Sequence, residues 1–388
     1  MTQESACPDS YYGYEMGPIR PPSEADSLLI RVTRNCAWNR CTFCPVYKGS
    51  SFSIRPLEHV LRDIDLIYKN MKCLREAFNE PSSVTEPGLK AIANTVSADG
   101  LVAFNAAFYW FMNGMKSVFL QDSDALASQP SNLIELLRHL KERFPWVERV
   151  TSYSRSSTLV RIADEDLEAM RDAGLNRIHV GLESGSDKVL KMVKKGASKE
   201  MHIRAGLKVK NAGIELSEYA MPGLGGTELS AEHALETADA LNQIDPDFIR
   251  LRTLAVTDRA PLGAERMSRR FHVCSDIMIV NEIKTLIQNL HGIKSVVKSD
   301  HVLNLFGDLE GKMPQDRDAM LEILDAFLGM EPAKQDLYRI GRRLGVFSGL
   351  KDLMDTNRVF RVEQICLAND IRGENMDSVI DRLLQSFI

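Results

Sequence analysis

The sequence predicts an α/β fold: an incomplete barrel of six strand–helix units followed by an α-helical domain. Three observations carry this. Between Leu28 and Leu254 short apolar runs alternate with amphipathic stretches, the pattern of parallel βα units. After Ala260 the alternation stops, and helical periodicity continues without a convincing strand. The chain of 388 residues suits a barrel of roughly 250 residues with an appended domain of roughly 100. The expected organisation is a leader over 1–27, a barrel over 28–256 with an insertion at 70–115, and a helical domain over 257–388.

Leu28–Thr33 (LLIRVT) reads as the first strand, and Pro56–Lys69 as an amphipathic helix with apolar residues near helical spacing. Ser117–Gln121 (SVFLQ) is the second strand, followed by a helix over Ser131–Arg143 that Ser131 is placed to cap. Arg149–Ser154 is the third strand, and its helix, Asp164–Ala173, ends at Gly174. Arg177–Gly181 is the fourth, with a helix over Ser186–Lys195 stopped by Gly196. Ile214–Met221 and Asp247–Leu254 are the fifth and sixth, separated by a helix over Ser230–Gln243. Asp276–Leu290, Pro314–Leu328, Gln335–Leu344 and Ser378–Phe387 read as the helices of the second domain. In the insertion, Gly100–Met115 is strongly apolar but interrupted by Asn105 and Asn113, and reads as a buried or surface-seeking helix.

Composition narrows the function. Hydrophobic residues make up 44% and the net charge is -5, so the chain buries a core and has no basic excess to favour nucleic acid. The N-terminal segment lacks the apolar core of a signal peptide, and no run reaches the roughly 18 apolar residues of a membrane span. A cytoplasmic protein is expected. Seven cysteines, an odd number with Cys36, Cys41 and Cys44 in one short run, read as metal chemistry and not as a disulfide framework. Structural zinc and simple electron-transfer clusters want four protein ligands; three leave one metal position open. Cys274 and Cys366 are too isolated to build a second cluster.

Where strands end, polar residues collect, as expected for chemistry at the C-terminal face of a barrel. Gln121, Asp122, Ser123 and Asp124 close the second strand, and this acidic turn suits either a cationic amine or helix capping. Ser152 and Ser154 lie on the third strand, with Arg155 after it. Glu183 and Ser184 follow the fourth, where a carboxylate can accept from vicinal hydroxyls. Met221–Gly226 (MPGLGG) closes the fifth with a turn stripped of side chains, permitting close backbone approach at Gly223. Alternation in the sixth strand places Ile249 and Leu251 toward covering helices, hence Arg250 and Arg252 inward with Glu218 and His179. That interior reads as a structural salt network or an anion-binding floor. His301 is a candidate acid–base group near the mouth.

The cysteine run, with Phe43 immediately before its last cysteine and at the end of a first strand, resembles the radical S-adenosylmethionine superfamily. Gly181–Ser186 (GLESGS), Phe119–Leu126 (FLQDSDAL) and Met221–Gly226 are similar to the branch holding Elongator-type, methylthiotransferase and oxygen-independent coproporphyrinogen oxidase enzymes. The resemblance covers roughly residues 28 to 256. One interval departs from it, with four residues between Cys36 and Cys41 where most members have three, and Val46 stands where coproporphyrinogen oxidases carry a further cysteine.

The resemblance implies a partial (β/α)6 TIM-like barrel and a [4Fe-4S] cluster on Cys36, Cys41 and Cys44, with S-adenosylmethionine chelating the fourth iron. It implies reductive cleavage to a 5′-deoxyadenosyl radical that abstracts hydrogen from a substrate, which the inward arginines point to as a small, anionic organic molecule. An electron donor such as flavodoxin or ferredoxin is the implied partner, and nucleic acid is not expected. The cofactor-binding set is Phe43, Gln121, Asp122, Ser123, Asp124, Ser152, Glu183, Ser184, Lys195, Glu218, Met221, Gly223 and Arg252. Lys195 matches a basic position that pairs with the methionine carboxylate in the coproporphyrinogen oxidase relatives, although sequence does not choose between it and Lys194. An RNA-modifying enzyme and a non-catalytic iron–sulfur or heme carrier are the alternatives.

Overall fold

The computed structural model describes residues 10–385. Among the described residues there are ten strands: β1 (Leu28–Arg31), β2 (Thr33–Arg34), β3 (Ser53–Ile54), β4 (Ser117–Gln121), β5 (Arg149–Ser154), β6 (Leu175–Glu183), β7 (Glu215–Ala220), β8 (Phe248–Leu251), β9 (Val296–Lys298) and β10 (Gly311–Lys312). Eight form one sheet in the order β1-β4-β5-β6-β7-β8-β9-β10, and β2 pairs with β3 separately. The order follows the chain with helices between the strands, the α/β arrangement of a singly wound barrel. Chain contacts divide the described residues into two units, the first built on residues 10–37, 49–179 and 211–215, the second on 38–48, 180–210 and 216–385.

In the first unit β1, β4 and β5 run parallel, with Leu28 opposite Val118 and Val118 opposite Val150. The helix Leu57–Ala77 runs past its expected end at Lys69 and buries Val60, Ile64, Ile67, Met71 and Leu74 along one face, a spacing that needs no further local signal. Within the insertion, Leu101–Met112 is a helix burying Ala103, Phe104, Ala107, Trp110 and Phe111; Trp110 Nε1 donates to Ser117 O at 2.9 Å. The helix before β5 starts at Pro130, one residue earlier than expected, so Ser131 does not cap it. The described part of the leader packs on this unit: Tyr11 donates to Asp63 at 2.8 Å, Gly17 N donates to Gln121 Oε1 at 2.8 Å, and Tyr14 is buried. Residues 1–9 of the expected leader lie outside the described residues.

In the second unit β7, β8 and β9 are parallel and β10 is antiparallel to β9. β9 and β10 correct the expectation of no strand after Ala260. They are three and two residues long, too short to show a period of two, and β9 is held by its pairing with β8. The helical region holds Asp276–Asn289, Arg317–Leu328, Pro332–Arg343, Thr356–Ala368 and Met376–Gln385; the end of the last expected helix, at Phe387, lies outside the described residues. Arg339 and Arg343 both reach the buried Asp276 at 2.9 Å, a shared counterion that offsets the cost of burying two guanidiniums. No helix among the described residues is long and apolar enough to cross a membrane.

Candidate active site

In the first unit the residues around the end of β4 are brought together, and most are already engaged. Gln121 is fully buried; its amide donates to Ile19 O at 2.6 Å and accepts from Gly17 N, so it anchors the leader. Asp122, also buried, pairs with Arg31 at 3.0 Å. Asp124 accepts from Ser154 Oγ at 3.0 Å, Arg155 N at 3.2 Å and Thr158 Oγ1 at 2.6 Å, capping the short helix Ser156–Leu159. Burial raises its pKa while these donors hold it down. Ser152 turns to the carbonyls of Tyr153 and Leu120. These bonds tie the turn after β4 to the leader, to β1 and to the start of the helix Ser156–Leu159. Ser123 differs: its hydroxyl donates to Asn35 O at 2.9 Å, tying the acidic turn to the residue before Cys36. His179 faces the buried Glu24 at 3.3 Å and packs edge-on against Phe119 and Tyr153.

In the second unit Trp38–Lys48 carries Cys41, Phe43 and Cys44. Asn39 takes φ 43°, a left-handed conformation Asn tolerates, and its side chain donates to Tyr47 O. The loop is then fastened to the turn after the helix Asp187–Met192: Trp38 Nε1 donates to Lys194 O at 2.7 Å, and Thr42 N to Val193 O at 2.9 Å. Trp38 lies so close to Gly196, itself at φ 72°, that any Cβ there would clash with the indole ring. Phe43 packs against a buried cluster that includes Val193, Met221, Leu254 and Leu262.

That turn delivers Lys195. Its ammonium meets Glu183 Oε1 at 3.1 Å, with both side chains near one-eighth exposed. Glu183 stands at the last position of β6 with φ 63°, a strained conformation for a non-glycine residue, of the kind that concentrates at functional sites. Gly181 makes room for the pair: a Cβ there would meet Glu183 Oε1 and lie 3.0 Å from Lys195 Nζ. Lys194, by contrast, is exposed. Glu218 on β7 is fully buried, and burial, opposed by Lys195 and the Leu182 backbone and reinforced by Glu183, pushes its pKa well above the usual carboxylate range.

Sequence reasoning missed His233 and Glu282. Ser184 is buried and bonds His233 Nδ1 at 2.8 Å, while His233 Nε2 donates to Met221 O at 3.0 Å. Glu282 accepts from Gly223 N at 2.7 Å and from Ser230. Together they lock the glycine-rich turn, where Gly223 takes φ 87°, to the end of β6. The one available signal was a histidine in the helix following that turn.

Arg250 corrects an expectation. The register sets Glu218 opposite Ile249 and Ala220 opposite Leu251, while Tyr219 faces Arg250. Paired residues in a parallel ladder share a face, so Arg250 lies on the side away from Glu218. It bonds Ser217 at 3.2 Å and pairs with Asp300. Apolar alternation points the other way here because the buried arginine has its carboxylate supplied by the segment after β9. Arg252 falls beyond β8 and is exposed, and no shared inward floor of the two arginines with Glu218 forms. His301 is lowered to about pH 4 by burial and then by Arg252, so it is neutral at neutral pH.

The cysteines fit a cluster. None of the six described cysteines is joined in a disulfide, and Cys36 and Cys44 are partly exposed. Among the described residues no group of three His, Cys, Asp or Glu side chains is arranged to hold a metal ion.

The sheet is parallel and sequential from β1 to β9, the α/β arrangement of a barrel, and three cysteines follow its first strand. Residues 107–240 match the model of the Radical SAM superfamily; the cysteine loop lies before the matched segment. Over that segment the chain is similar to radical SAM proteins, a likeness that implies a [4Fe-4S] cluster and S-adenosylmethionine. It is 26% identical over 262 residues to tRNA-2-methylthio-N(6)-dimethylallyladenosine synthase of Christiangramia forsetii, covering 66% of this chain and 47% of that protein. It is 28% identical over 192 residues to a protein named as a methylthiotransferase in Methanocaldococcus jannaschii, covering 49% and 34%. Coproporphyrinogen III oxidase of Escherichia coli aligns in structure with a TM-score of 0.45 and 13% identity, over 68% of this chain and 52% of that one. The matches thus span less than half the length of these two sequence relatives.

Proposed function

We propose that this protein is a cytoplasmic enzyme that reductively cleaves S-adenosylmethionine on a cluster held by Cys36, Cys41 and Cys44 and abstracts hydrogen from an organic substrate. When bound, cluster and cofactor supply a one-electron cleavage giving methionine and a 5′-deoxyadenosyl radical. The observation that supports the reading is the fastening of the Cys41–Cys44 loop to the 193–196 turn, whose Lys195 pairs with Glu183. Lys195 is the group for the methionine carboxylate and Glu183 for the ribose hydroxyls; a ligand presenting both trades one ion pair for two charge-assisted contacts. Ser123, bonded beside Cys36, positions the loop's first arm. Phe43, Met221 and Gly223 bound the turn that the adenosine passes, with His233 and Glu282 as its positioning residues. Gln121, Asp122, Asp124, Ser152 and Ser184 support the backbone, and their part in cofactor binding is indirect. Burial of these elements excludes water from a reactive radical. Flavodoxin or ferredoxin is the proposed electron source.

A second reading is RNA modification, favoured by relatives named for acting on tRNA. Those names weaken the expectation that nucleic acid is not a partner. Anaerobic reconstitution with iron and sulfide, then dithionite and S-adenosylmethionine, tests the first reading; absence of 5′-deoxyadenosine from a fully reconstituted cluster would sink it. Addition of bulk tRNA separates the two, since only the second expects product formation to rise with RNA.

A further inference from the structure

Trp38, one of the four residues between Cys36 and Cys41, reaches from the cysteine loop to the turn that carries Lys195. Its Nε1 donates to Lys194 O at 2.7 Å. The other end of that same peptide unit is the amide of Lys195, which donates to Leu190 O at 2.9 Å. The peptide plane from which Lys195 departs is therefore held at both ends, by the cysteine loop and by the helix Asp187–Met192. The residues on either side of Lys195 need such a hold. Lys194 at φ 54° and Gly196 at φ 72° are both left-handed, a conformation that lysine rarely adopts. Gly196 lies so close to the indole that a Cβ built on it would clash with the ring. Arg40, from the same interval, lies over the indole at 5.1 Å, which steadies the ring and leaves its N–H to the Lys194 carbonyl. Thr42 N, donating to Val193 O at 2.9 Å, repeats the attachment one residue earlier in the turn.

The far end of these contacts is the Lys195 ammonium, 3.1 Å from Glu183 Oε1. In water a flexible lysine stem would absorb a shift of its own Cα. Here it has little room to do so, because the side chain is largely buried and Nζ lies 3.0 Å from where a Cβ on Gly181 would stand. A turn of the 194–195 peptide therefore moves the ammonium. We propose that Trp38 is a positioning residue that, through the Lys194 carbonyl, sets Lys195 to receive the carboxylate of S-adenosylmethionine. On this assignment, which rests on the radical S-adenosylmethionine reading of Lys195, one indole N–H of the cysteine loop governs recognition of that carboxylate. Preparing the loop and preparing the carboxylate site become one event, since both ends of the Trp38 bond must be in place together.

The test is S-adenosylmethionine binding, by equilibrium dialysis, to the full chain reconstituted anaerobically with iron and sulfide. Wild type, Trp38→Phe, Lys195→Met and the double variant are compared. Trp38→Phe keeps an aromatic ring against Gly196 and removes the donor. It should bind S-adenosylmethionine about fivefold more weakly than the wild type, the worth of one hydrogen bond, with bound iron per chain unchanged. In the Lys195→Met background the same replacement should have no further effect. A loss that persists in that background would overturn the proposal, since Trp38 would then act by a route other than Lys195. So would loss of iron in Trp38→Phe, which would make the residue a support of the cysteine loop alone. If Lys195→Met weakens binding and Trp38→Phe does not, the inference fails and the reading of Lys195 stands; if neither does, that reading fails with it. Melting temperatures of the same four chains without cluster give a second readout. The double variant should lose less than the sum of the single losses, and strict additivity would overturn the link. Because this readout needs no cluster, it separates failure of the link from failure of the enzymatic reading.

Discussion

Replacing Lys195 by Met keeps much of the side chain's length and removes only the charge that Glu183 and Glu218 share. The ammonium lies 3.1 Å from Glu183 Oε1, so at an effective dielectric of 20 the direct attraction is about 5 kcal/mol. Part of it is cancelled by desolvation of the lysine, which the variant no longer requires. Breaking a largely buried pair from one side leaves a net loss of about 3 kcal/mol. For a unit of this size that corresponds to a fall in melting temperature of about 6 °C or more. Lys194→Met is the internal control: that side chain is exposed, and its loss should stay within about 0.5 kcal/mol. Thermal unfolding of both variants beside the wild type, with Glu183→Gln and the double variant completing a cycle, gives the pairwise energy. A coupling near 2 kcal/mol is expected for residues in contact. If Lys195→Met and Lys194→Met melt alike, within about 2 °C of the wild type, Lys195 is an ordinary helix-end lysine and its place in the site is wrong.

Other outcomes follow from neighbouring features. Glu218 has its pKa raised above the unfolded value of 4.5, so the folded state holds the proton more tightly and wild-type stability falls as pH rises above that value. Glu218→Gln should remove this slope and be the more stable protein at pH 7; denaturation curves at pH 4.5 and 7 that shift in parallel would refute it. Gly196→Ala forces a left-handed residue into the Trp38 ring, with an expected loss of about 2 kcal/mol or more, read as a lower melting temperature together with less iron bound on reconstitution. Cys41→Ala should abolish the cluster's visible absorbance while far-ultraviolet circular dichroism is retained. Glu282→Leu strips the acceptor from Gly223 N and Ser230 and should cost about 1–3 kcal/mol, measured by denaturant unfolding.

The order of strands was legible because each βα unit carries its own periodicity, and β1, β4 and β5 fall on or within two residues of the runs that predict them. β9 was not, since three residues hydrogen-bonded to a neighbour leave no pattern of their own. The candidate site divides by where its partners come from. Ser186 sits three residues before the backbone amide it caps, Val189, and its role can be read locally. Gln121 and Asp124 look the same in sequence whether they hold a ligand or a distant backbone group, and Ile19 and Thr158 are too remote to be inferred. The choice between Lys194 and Lys195 depends on a single residue of turn geometry, with Lys194 at φ 54°. Arg250 defeated alternation because polarity identifies the outward face only where helices cover the other side uniformly.

The pairing of β9 with β8 bears on how this protein can be cut. A fragment ending near Val256 would keep every predicted βα unit, yet β8 would become an edge with a row of open backbone donors and acceptors. Arg250, buried against Ser217, would lose Asp300 as its counterion. Such a fragment should associate through its exposed edge and appear as a mixture of aggregates. A shortened form fit for spectroscopy therefore has to retain residues through at least Asn304, whose side chain also holds Thr253 N and Leu251 O.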